Sequence, residues 1–407
     1  MNIVFFHQRF DPEPEIKGLI FSRKLIEFGC NVRVITSKPY FKNGILYPQY
    51  NRYRLLVTEN NHGTEIYRVP LVHSHSSSKL GRAVHYLSLA LNTFIVGLFT
   101  CSDVDCIYVC GPPVSVGLSG FLIAKILNKP VLYDLQDLWP ESIQSSGIQV
   151  NKFISRILYL WCIFFYKNMS HIVVQSKGIK EILISYGIDE NKISVINNWC
   201  NENALFGKYY DDDLHKIFNK NRLTIVFAGN IGKAQGLDVL IDVAGKIQSN
   251  NMKAQIILIG DGVETLRLKK AALDKKINTI TFIEHVPIEI IHSYLSRADL
   301  LLIHLKKQFL FTKTIPSKTQ AYLASGKPII ICVDGDAKEM ILESRGGFYA
   351  EPECADSIFN AINEALLMSK LELNKLGENG KNYYFSNMSL EIGASRFFNI
   401  FKSLIAK

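Results

Sequence analysis

The strongest constraint on the fold is a regular alternation of strands and helices, which occurs twice along the chain. In the first half, runs typical of buried strands occupy residues 3–6, 32–36, 65–69, 106–110, 131–134, 171–175 and 193–196. Helical segments lie between them at 19–28, 116–127, 153–166 and 179–186. Strands that alternate with helices usually form a parallel sheet covered on both faces. The pattern predicts a doubly wound α/β domain.

A second series of the same kind begins after a polar interruption. The alternation stops at residues 198–221, which are rich in Asn and Asp, and resumes with strands at 224–228, 255–259, 281–283, 300–304 and 328–333. A chain of 407 residues suits two or three domains. We predict an N-terminal Rossmann-like domain at 1–198, a linker at 199–221 and a C-terminal Rossmann-like domain at 222–385. A final helix at 386–407 is expected to cross back to the first domain.

The amino-acid composition limits which binding partners and which cellular compartment the sequence predicts. The formal net charge of +9 suits an acidic partner, whether anionic lipid, nucleotide phosphates or nucleic acid. Nucleic acid is the least favoured, because no compact Lys/Arg run is interleaved with aromatic residues.

The 8 cysteines form no CxxC pair and fit buried thiols in a reducing cytosol. The first ten residues read as a strand, not as a signal peptide. The acidic tracts at 103–105 and 211–213 are assigned no metal, since they lie at a strand start and in the linker.

Two predicted helices are unusually apolar. Residues 83–100 carry no formal charge, and residues 153–166 are apolar or aromatic around nearly the whole helix. A membrane span needs about 20 such residues, so the first helix is borderline. Plain core helices, helices that contact a membrane surface and a true span at 83–100 are all compatible with the sequence.

The segment VLYDLQDLWPES at 131–142 places three carboxylates and a tryptophan at the end of a predicted strand. Pro140 cannot donate to a sheet ladder, so the strand must end near Asp137. Ligands of open α/β sheets bind just beyond the carboxyl ends of the strands. We therefore predict functional roles for Asp137, Trp139 and Glu141, the alternative being an ordinary polar turn.

Three strand–turn–helix segments in the second half are candidates for binding phosphate. They carry glycines or helix-start residues with nearby donors: Gly229, Gly232, Lys233, Gln235 and Gly236; Gly260, Asp261 and Gly262; Pro316, Ser317, Lys318 and Thr319. Backbone amides and helix N-termini of this kind hold phosphates. Because a lysine at a helix N-terminus opposes the helix dipole, Lys318 needs an anion or must reach into solvent.

These segments together resemble glycosyltransferase family 4. The resemblance rests on the order of elements, the first loop ending at Gly18, the VLYDLQDLWPES run, and the AQGLDVLI and IPSKTQAYLASGKP runs. Within the family, the motifs look most like the L-fucosamine (N-acetyl-L-fucosamine) transferase branch of bacterial O-antigen and capsule assembly. The resemblance implies the GT-B architecture, in which two Rossmann-like domains face each other across a cleft.

The resemblance also implies an activity and a set of site residues. The activity is retaining transfer from a UDP-sugar to a polyprenyl-diphosphate-linked saccharide, without metal or cofactor, at the inner face of the cytoplasmic membrane. Asp137 and Glu141 are the implied catalytic residues. The implied acceptor-binding residues are Glu13, Pro14, Gly18 and Trp139. The implied donor-binding residues are Gly229, Asn230, Lys233, Gln235, Gly236, Gly260, Asp261, Gly262, Pro316, Ser317, Lys318 and Thr319.

The chain departs from the family pattern at two places. Asn230 and Gln235 stand where the family commonly has Arg and Lys, which leaves Lys233 and Lys318 to supply the charge. Lys313 and Ala321 replace the family's paired glutamates. Two alternatives follow: a catalytically inactive nucleotide-sugar-binding subunit, and a non-hydrolysing UDP-sugar 2-epimerase of the same architecture. A dinucleotide oxidoreductase is disfavoured, because the first turn, HQRFDPEPEIKG, lacks the GxGxxG spacing.

Overall fold

The computed structural model describes residues 1–41, 44–50, 54–72, 79–111, 114–142, 151–205 and 217–406. The chain divides into two compact units. The first comprises Met1–Asn197 together with Leu390–Lys407, and the second comprises Asn198–Ser389. Part of the predicted linker, including the acidic tract at 211–213, lies outside the described residues.

The first unit is an eight-stranded sheet flanked by helices. Its elements are β1 (Asn2–Phe6), α1 (Leu19–Glu27), β2 (Asn31–Ser37), β3 (Val57–Asn61), β4 (Thr64–Val69), α2 (Lys79–Thr100), β5 (Cys106–Gly111), α3 (Val114–Leu127), β6 (Val131–Leu135), α4 (Lys152–Lys167), β7 (His171–Val174), α5 (Lys177–Ser185) and β8 (Ile193–Val195). The strand order is β3-β4-β2-β1-β5-β6-β7-β8. All pairings are parallel except β3 with β4. Every residue of β5 and β6 is buried, which explains their continuous apolar runs.

The register of the central strands decides which helices cover which face. Phe6, Val109 and Tyr133 lie side by side on β1, β5 and β6, so their side chains point to the same face. That face is covered by α2, α3 and α4: Gly97 packs near Phe6, Gly120 near Val109, and the Phe165 ring lies 5.1 Å from that of Tyr133. The final helix α15 (Leu390–Ile405) covers the opposite face with α1, where Phe397 packs on Phe21 and Tyr108.

The second unit is a six-stranded, wholly parallel sheet of order β11-β10-β9-β12-β13-β14. Its elements are α6 (Glu202–Leu205), β9 (Leu223–Ala228), α7 (Asp238–Ser249), β10 (Ala254–Ile259), α8 (Thr265–Asp274), β11 (Ile280–Ile283), α9 (Ile288–Leu295), β12 (Leu300–His304), α10 (Phe309–Thr312), α11 (Lys318–Ala324), β13 (Ile329–Cys332), α12 (Asp336–Ser344), β14 (Gly347–Tyr349), α13 (Ala355–Leu367) and α14 (Lys370–Asn387). The two sheets, parallel except for the β3–β4 pairing, confirm the predicted α/β architecture.

One strand of the first sheet was missed by the sequence pattern. β3 has the sequence VTENN and alternates between half-buried and exposed positions, so it has no apolar run. Among the described residues, β3 is an edge strand that pairs with β4 alone, and such strands tolerate polar residues on both faces. Within the described part of the chain, no helix is both long enough and apolar enough to cross a membrane.

Candidate functional site

A cavity of about 790 Å³ opens at the carboxyl ends of β1, β2, β5 and β6 in the first unit. Its lining residues with acidic, guanidinium or imidazole side chains are His7, Arg9, Glu13, Glu15, His85 and Asp137. Its aromatic lining residues are Tyr40, Phe41, Tyr47, Tyr86 and Trp139. The rings of Phe41 and Tyr47 are stacked with their centroids 3.9 Å apart. Flat aromatic surfaces beside polar groups are the usual lining of a site for a small organic ligand.

Asp134, the first carboxylate of the 131–142 segment, belongs to a buried network of hydrogen bonds. Its side chain accepts hydrogen bonds from Lys17 Nζ at 2.9 Å, Tyr108 Oη at 2.6 Å and Gln136 Nε2 at 2.7 Å. Removing one partner of such a buried ion pair is strongly destabilising. Asp134 therefore joins the loop after β1 to β6 and supports the cavity from behind.

Asp137 and Trp139 line the cavity, but Glu141 does not. Burial raises the pKa of the Asp137 carboxyl. Glu141 accepts a hydrogen bond from the Tyr186 hydroxyl, and its other oxygen is buried without a hydrogen-bond partner among the described residues. The two predicted catalytic carboxylates thus lie in different surroundings, and only Asp137 faces the space that a ligand could occupy.

The loop after β1 contributes two carboxyl groups with unusual acidity. Burial raises the pKa of Glu13 to about 7 and also raises the pKa of Glu15 to about 7. Pro14 lies between them on the cavity wall. Both groups therefore exist partly protonated at neutral pH, when they can donate a hydrogen bond as well as accept one. Glu15 was not singled out from the sequence, because a glutamate in a loop carries no signal of burial.

His7 is a neutral histidine on the cavity wall. Burial, with smaller contributions from Lys17 and Arg9, lowers its pKa to about 3. Neither ring nitrogen has a hydrogen-bond partner among the described residues. A buried imidazole without partners is costly, which makes His7 a candidate for hydrogen bonding to a ligand.

Gly18 has a structural explanation that needs no ligand. It precedes α1, and a side chain there would clash with the Asp11 carboxylate, which accepts a hydrogen bond from Leu19 N at 2.6 Å. Gly18 does not line the cavity. Its predicted contact with the acceptor has no support in this geometry.

In the second unit, His304 fixes the loop that follows β9. The Nδ1 of His304 lies 2.5 Å from the Gln235 carbonyl oxygen, while its Nε2 accepts from Glu353 N at 3.0 Å. These partners require the neutral tautomer with the proton on Nδ1, and burial lowers the pKa of the ring. Gly236 lies in the left-handed region at φ 57°, close to Lys306 and His304. The Gln235 side chain accepts from Gly232 N at 3.2 Å, whereas Asn230 and Lys233 are exposed.

Gly260 and Gly262 allow the loops after β9 and β10 to touch. A Cβ atom at Gly260 would clash with the Gly229 carbonyl, and one at Gly262 would clash with that of Ile231. Ile231 N donates to the carbonyl oxygen of the exposed Asp261 at 2.9 Å. Packing between loops therefore explains both glycines, and their contact with phosphate stays a prediction.

Lys318 is the most unusual residue of the second unit. Although the side chain as a whole is only partly buried, its Nζ is buried and has no hydrogen-bond partner within the described ranges. The Nζ lies 3.4 Å from the Phe227 ring centroid and 3.2 Å from where a Cβ of Gly229 would be. Burial lowers the pKa of the Lys318 amine to about 7. Pro316 and Ser317 precede it at the start of α11, and Thr319 Oγ1 is also buried without a partner.

Two Rossmann-like units, one with an aromatic-lined cavity and one with a buried lysine amine beside a glycine loop, are the units of the GT-B architecture. Residues 19–203 match the family model described as Glycosyltransferase Family 4, and residues 212–383 match Glycosyl transferases group 1. The chain therefore carries a Glycosyltransferase Family 4 domain followed by a Glycosyl transferases group 1 domain, and the protein is a glycosyltransferase.

Individual relatives agree with this assignment. The chain is 24% identical to the putative colanic acid biosynthesis glycosyl transferase WcaI of Escherichia coli, over 88% of this chain and 90% of that protein. It is 23% identical to a lipopolysaccharide 1,2-N-acetylglucosaminetransferase of Salmonella typhimurium, over 56% and 61% of the two chains. A structure of HepE from Anabaena in complex with UDP and glucose superposes with a TM-score of 0.68 at 16% identity, covering 99% of this chain and 100% of that one.

Proposed function

We propose that this glycosyltransferase moves a sugar, with retention of configuration, from a UDP-sugar to a polyprenyl-diphosphate-linked saccharide during assembly of a bacterial surface polysaccharide such as O-antigen or capsule. N-acetyl-L-fucosamine is the sugar that the sequence motifs favour. The observation that carries the proposal is the buried Lys318 amine beside Gly229 and the Phe227 ring, which has no hydrogen-bond partner among the described residues. The names of WcaI and of the Salmonella enzyme support a role in polysaccharide or lipopolysaccharide synthesis, and the HepE complex supports UDP as the nucleotide.

The donor diphosphate fits the surroundings of Lys318. Burying an amine without a partner is unfavourable, and the lowered pKa of Lys318 expresses that cost. A diphosphate bound against Nζ would supply the missing partner and restore the full positive charge. Charge grows on the departing diphosphate as the sugar bond breaks, so a cation held there stabilises the transition state more than the ground state.

The cavity of the first unit fits the acceptor saccharide. Its aromatic residues offer apolar surface to a sugar ring, while His7, Glu13 and Asp137 offer hydrogen-bonding groups. Asp137 is the carboxylate placed to orient the acceptor hydroxyl or the sugar being transferred. In the retaining mechanism that the family implies, the departing phosphate takes the proton of that hydroxyl.

The proposal is tested by incubation with a panel of UDP-sugars, with and without a polyprenyl-diphosphate-linked acceptor. We expect transfer to the lipid-linked acceptor, release of UDP, and an unchanged rate in EDTA, because Lys318 supplies charge that a metal would otherwise supply. Interconversion of UDP-sugars without acceptor would indicate the epimerase instead. Binding without turnover would indicate an inactive subunit, and activity lost in EDTA but restored by Mg²⁺ or Mn²⁺ would contradict the metal-free mechanism.

Binding of the acceptor is expected to weaken as the pH rises through about 7. Glu13 and Glu15 lose their protons in that range and can then no longer donate a hydrogen bond. A neutral hydrogen bond contributes about 0.5–1.5 kcal/mol, so the acceptor KM should rise about three- to tenfold between pH 6 and pH 8.5. Glu13→Gln, which keeps a donor at every pH, should flatten the profile. Identical pH profiles in wild type, Glu13→Gln and Glu15→Gln would contradict this role.

A further inference from the structure

The helices α2, α3 and α4 form one layer on one face of the first sheet. Thr93 on α2 donates to Ser119 on α3 at 3.0 Å, and Ser119 also donates to the Ala90 carbonyl at 2.7 Å. Phe121 on α3 packs on Phe165 of α4 with ring centroids 6.0 Å apart. The inner sides of the three helices contact the sheet, so their outer sides face away from it.

Every exposed side chain that the structure describes on this surface is apolar or cationic. On α2 the exposed residues are Val84, Leu87, Leu91, Ile95, Leu98 and Phe99. On α3 they are Leu122, Lys125 and Ile126, and on α4 they are Phe153, Arg156, Ile157, Leu160, Phe164 and Lys167. The apolar members are 39% to 81% exposed. Twelve exposed apolar side chains on one helical layer are unusual for a soluble monomer, and large exposed apolar patches mark interaction sites.

The charges of this layer have a single sign. Residues 79–100, 114–127 and 152–167 contain no Asp or Glu, although the chain as a whole has 37 acidic residues. The exposed cations that the structure describes in these segments are Lys125, Arg156 and Lys167. Apolar side chains bordered by Lys and Arg complement a lipid leaflet, whose acyl chains accept the apolar groups and whose anionic phosphates accept the cations.

We propose that the outer surface of α2, α3 and α4, here called the docking face, binds an anionic lipid bilayer without spanning it. A second copy of the chain is the competing occupant. A symmetric dimer through this face would bring the same patch against itself and would place like charges together. The face also exposes no neutral polar side chain among those described, so it offers few hydrogen-bonding groups with which to orient a protein partner.

The docking face extends the proposed function, because a polyprenyl-linked acceptor lies in a bilayer. The cavity and the docking face belong to the same unit, since β1, β5 and β6 end at the cavity and support the three helices. A bilayer bound at the docking face would therefore hold that unit beside its lipid-linked substrate.

Flotation with vesicles tests the proposal without donor or acceptor. Wild-type protein is expected to float with phosphatidylglycerol/phosphatidylethanolamine vesicles and much less with phosphatidylcholine alone, and the difference should shrink at high salt. A Leu91→Glu/Leu160→Glu variant should bind at least about tenfold less, because each substitution puts an anion against the anionic surface. Leu273→Glu/Leu371→Glu, at positions 75% and 80% exposed in the second unit, is the matched control and should float like wild type.

The possible results test the docking face and the proposed reaction independently. No flotation of wild type on anionic vesicles, or equal flotation of both double variants, would overturn the docking face. A concentration-dependent dimer abolished by Leu91→Glu/Leu160→Glu, without lipid binding, would assign the face to a second copy. Thermal unfolding checks that the variants are folded. Titration with UDP on the same preparations tests the donor site alone, so flotation without UDP binding would refute the proposed function and leave the docking face intact.

Discussion

Lys318→Met is expected to lose UDP-sugar use by about ten- to a hundredfold, which corresponds to one charge-assisted hydrogen bond of about 1.5–3 kcal/mol. Both kcat and KM should change, because the charge on the departing diphosphate grows in the transition state. Steady-state rates at saturating acceptor measure both constants. The matched control is Lys270→Met, which removes the same charge from an exposed position on α8 that is not among the predicted donor-binding residues. Equal losses in the two variants would contradict the role given to Lys318.

The same substitution should stabilise the ligand-free protein. The Lys318 pKa is about 7 in the folded state and about 10.4 in an unfolded chain. Between these values the unfolded state binds more protons, so the contribution of Lys318 to stability rises with pH across this window. The Tm of wild type should therefore lie furthest below the Tm of Lys318→Met at pH 7 and lower. The two Tm values should approach each other near pH 9–10. A variant less stable than wild type at pH 7 would show that Lys318 has a structural partner.

Asp137→Asn is expected to fold normally and to lose more than about a hundredfold in transfer rate, the scale of the loss when a reacting group is no longer held in position. Asp137 lines the cavity, and its raised pKa indicates a desolvated carboxyl group. Circular dichroism and the Tm should match wild type. A near wild-type rate would remove Asp137 from the mechanism.

Glu141→Gln is the matched comparison for Asp137→Asn. The sequence predicts this loss for either carboxylate, and we expect it for Asp137 because Asp137 lines the cavity and Glu141 does not. Glu141 accepts a hydrogen bond from the Tyr186 hydroxyl and does not line the cavity. Glu141→Gln should therefore lower the free energy of unfolding by on the order of 1 kcal/mol and leave kcat close to that of wild type. A hundredfold loss in Glu141→Gln, with Asp137→Asn active, would reverse the assignment.

The sequence predicted the fold well because parallel strands of a doubly wound sheet are buried on both faces. β5 and β6 are examples, since their uninterrupted apolar runs follow directly from burial. The edge strand β3 escaped prediction for the opposite reason, because its polar residues are tolerated where only one neighbour pairs with it. The apolar pattern of a segment thus indicates whether it is buried. It does not indicate pairing at the edge of a sheet, which depends on contacts with residues distant in the sequence.

The candidate site was predicted less completely, because roles there depend on three-dimensional neighbours. Asp134 and Asp137 are three residues apart, yet one is held by Lys17, from a loop more than a hundred residues earlier, and the other faces the cavity. His7 and His304 gave no periodic signal, although one lines the cavity and the other fixes the loop after β9. The glycines at 260 and 262 suggested phosphate binding, while contact between two loops already explains them.

A structure determined with bound UDP tests the central claim most directly. We expect a diphosphate oxygen within hydrogen-bonding distance of Lys318 Nζ, next to Gly229 and the loop that His304 holds. Such a contact would supply the hydrogen-bond partner that the Lys318 amine lacks among the described residues. UDP bound in the cavity of the first unit, or a diphosphate held elsewhere with Lys318 Nζ still unpartnered, would contradict the account.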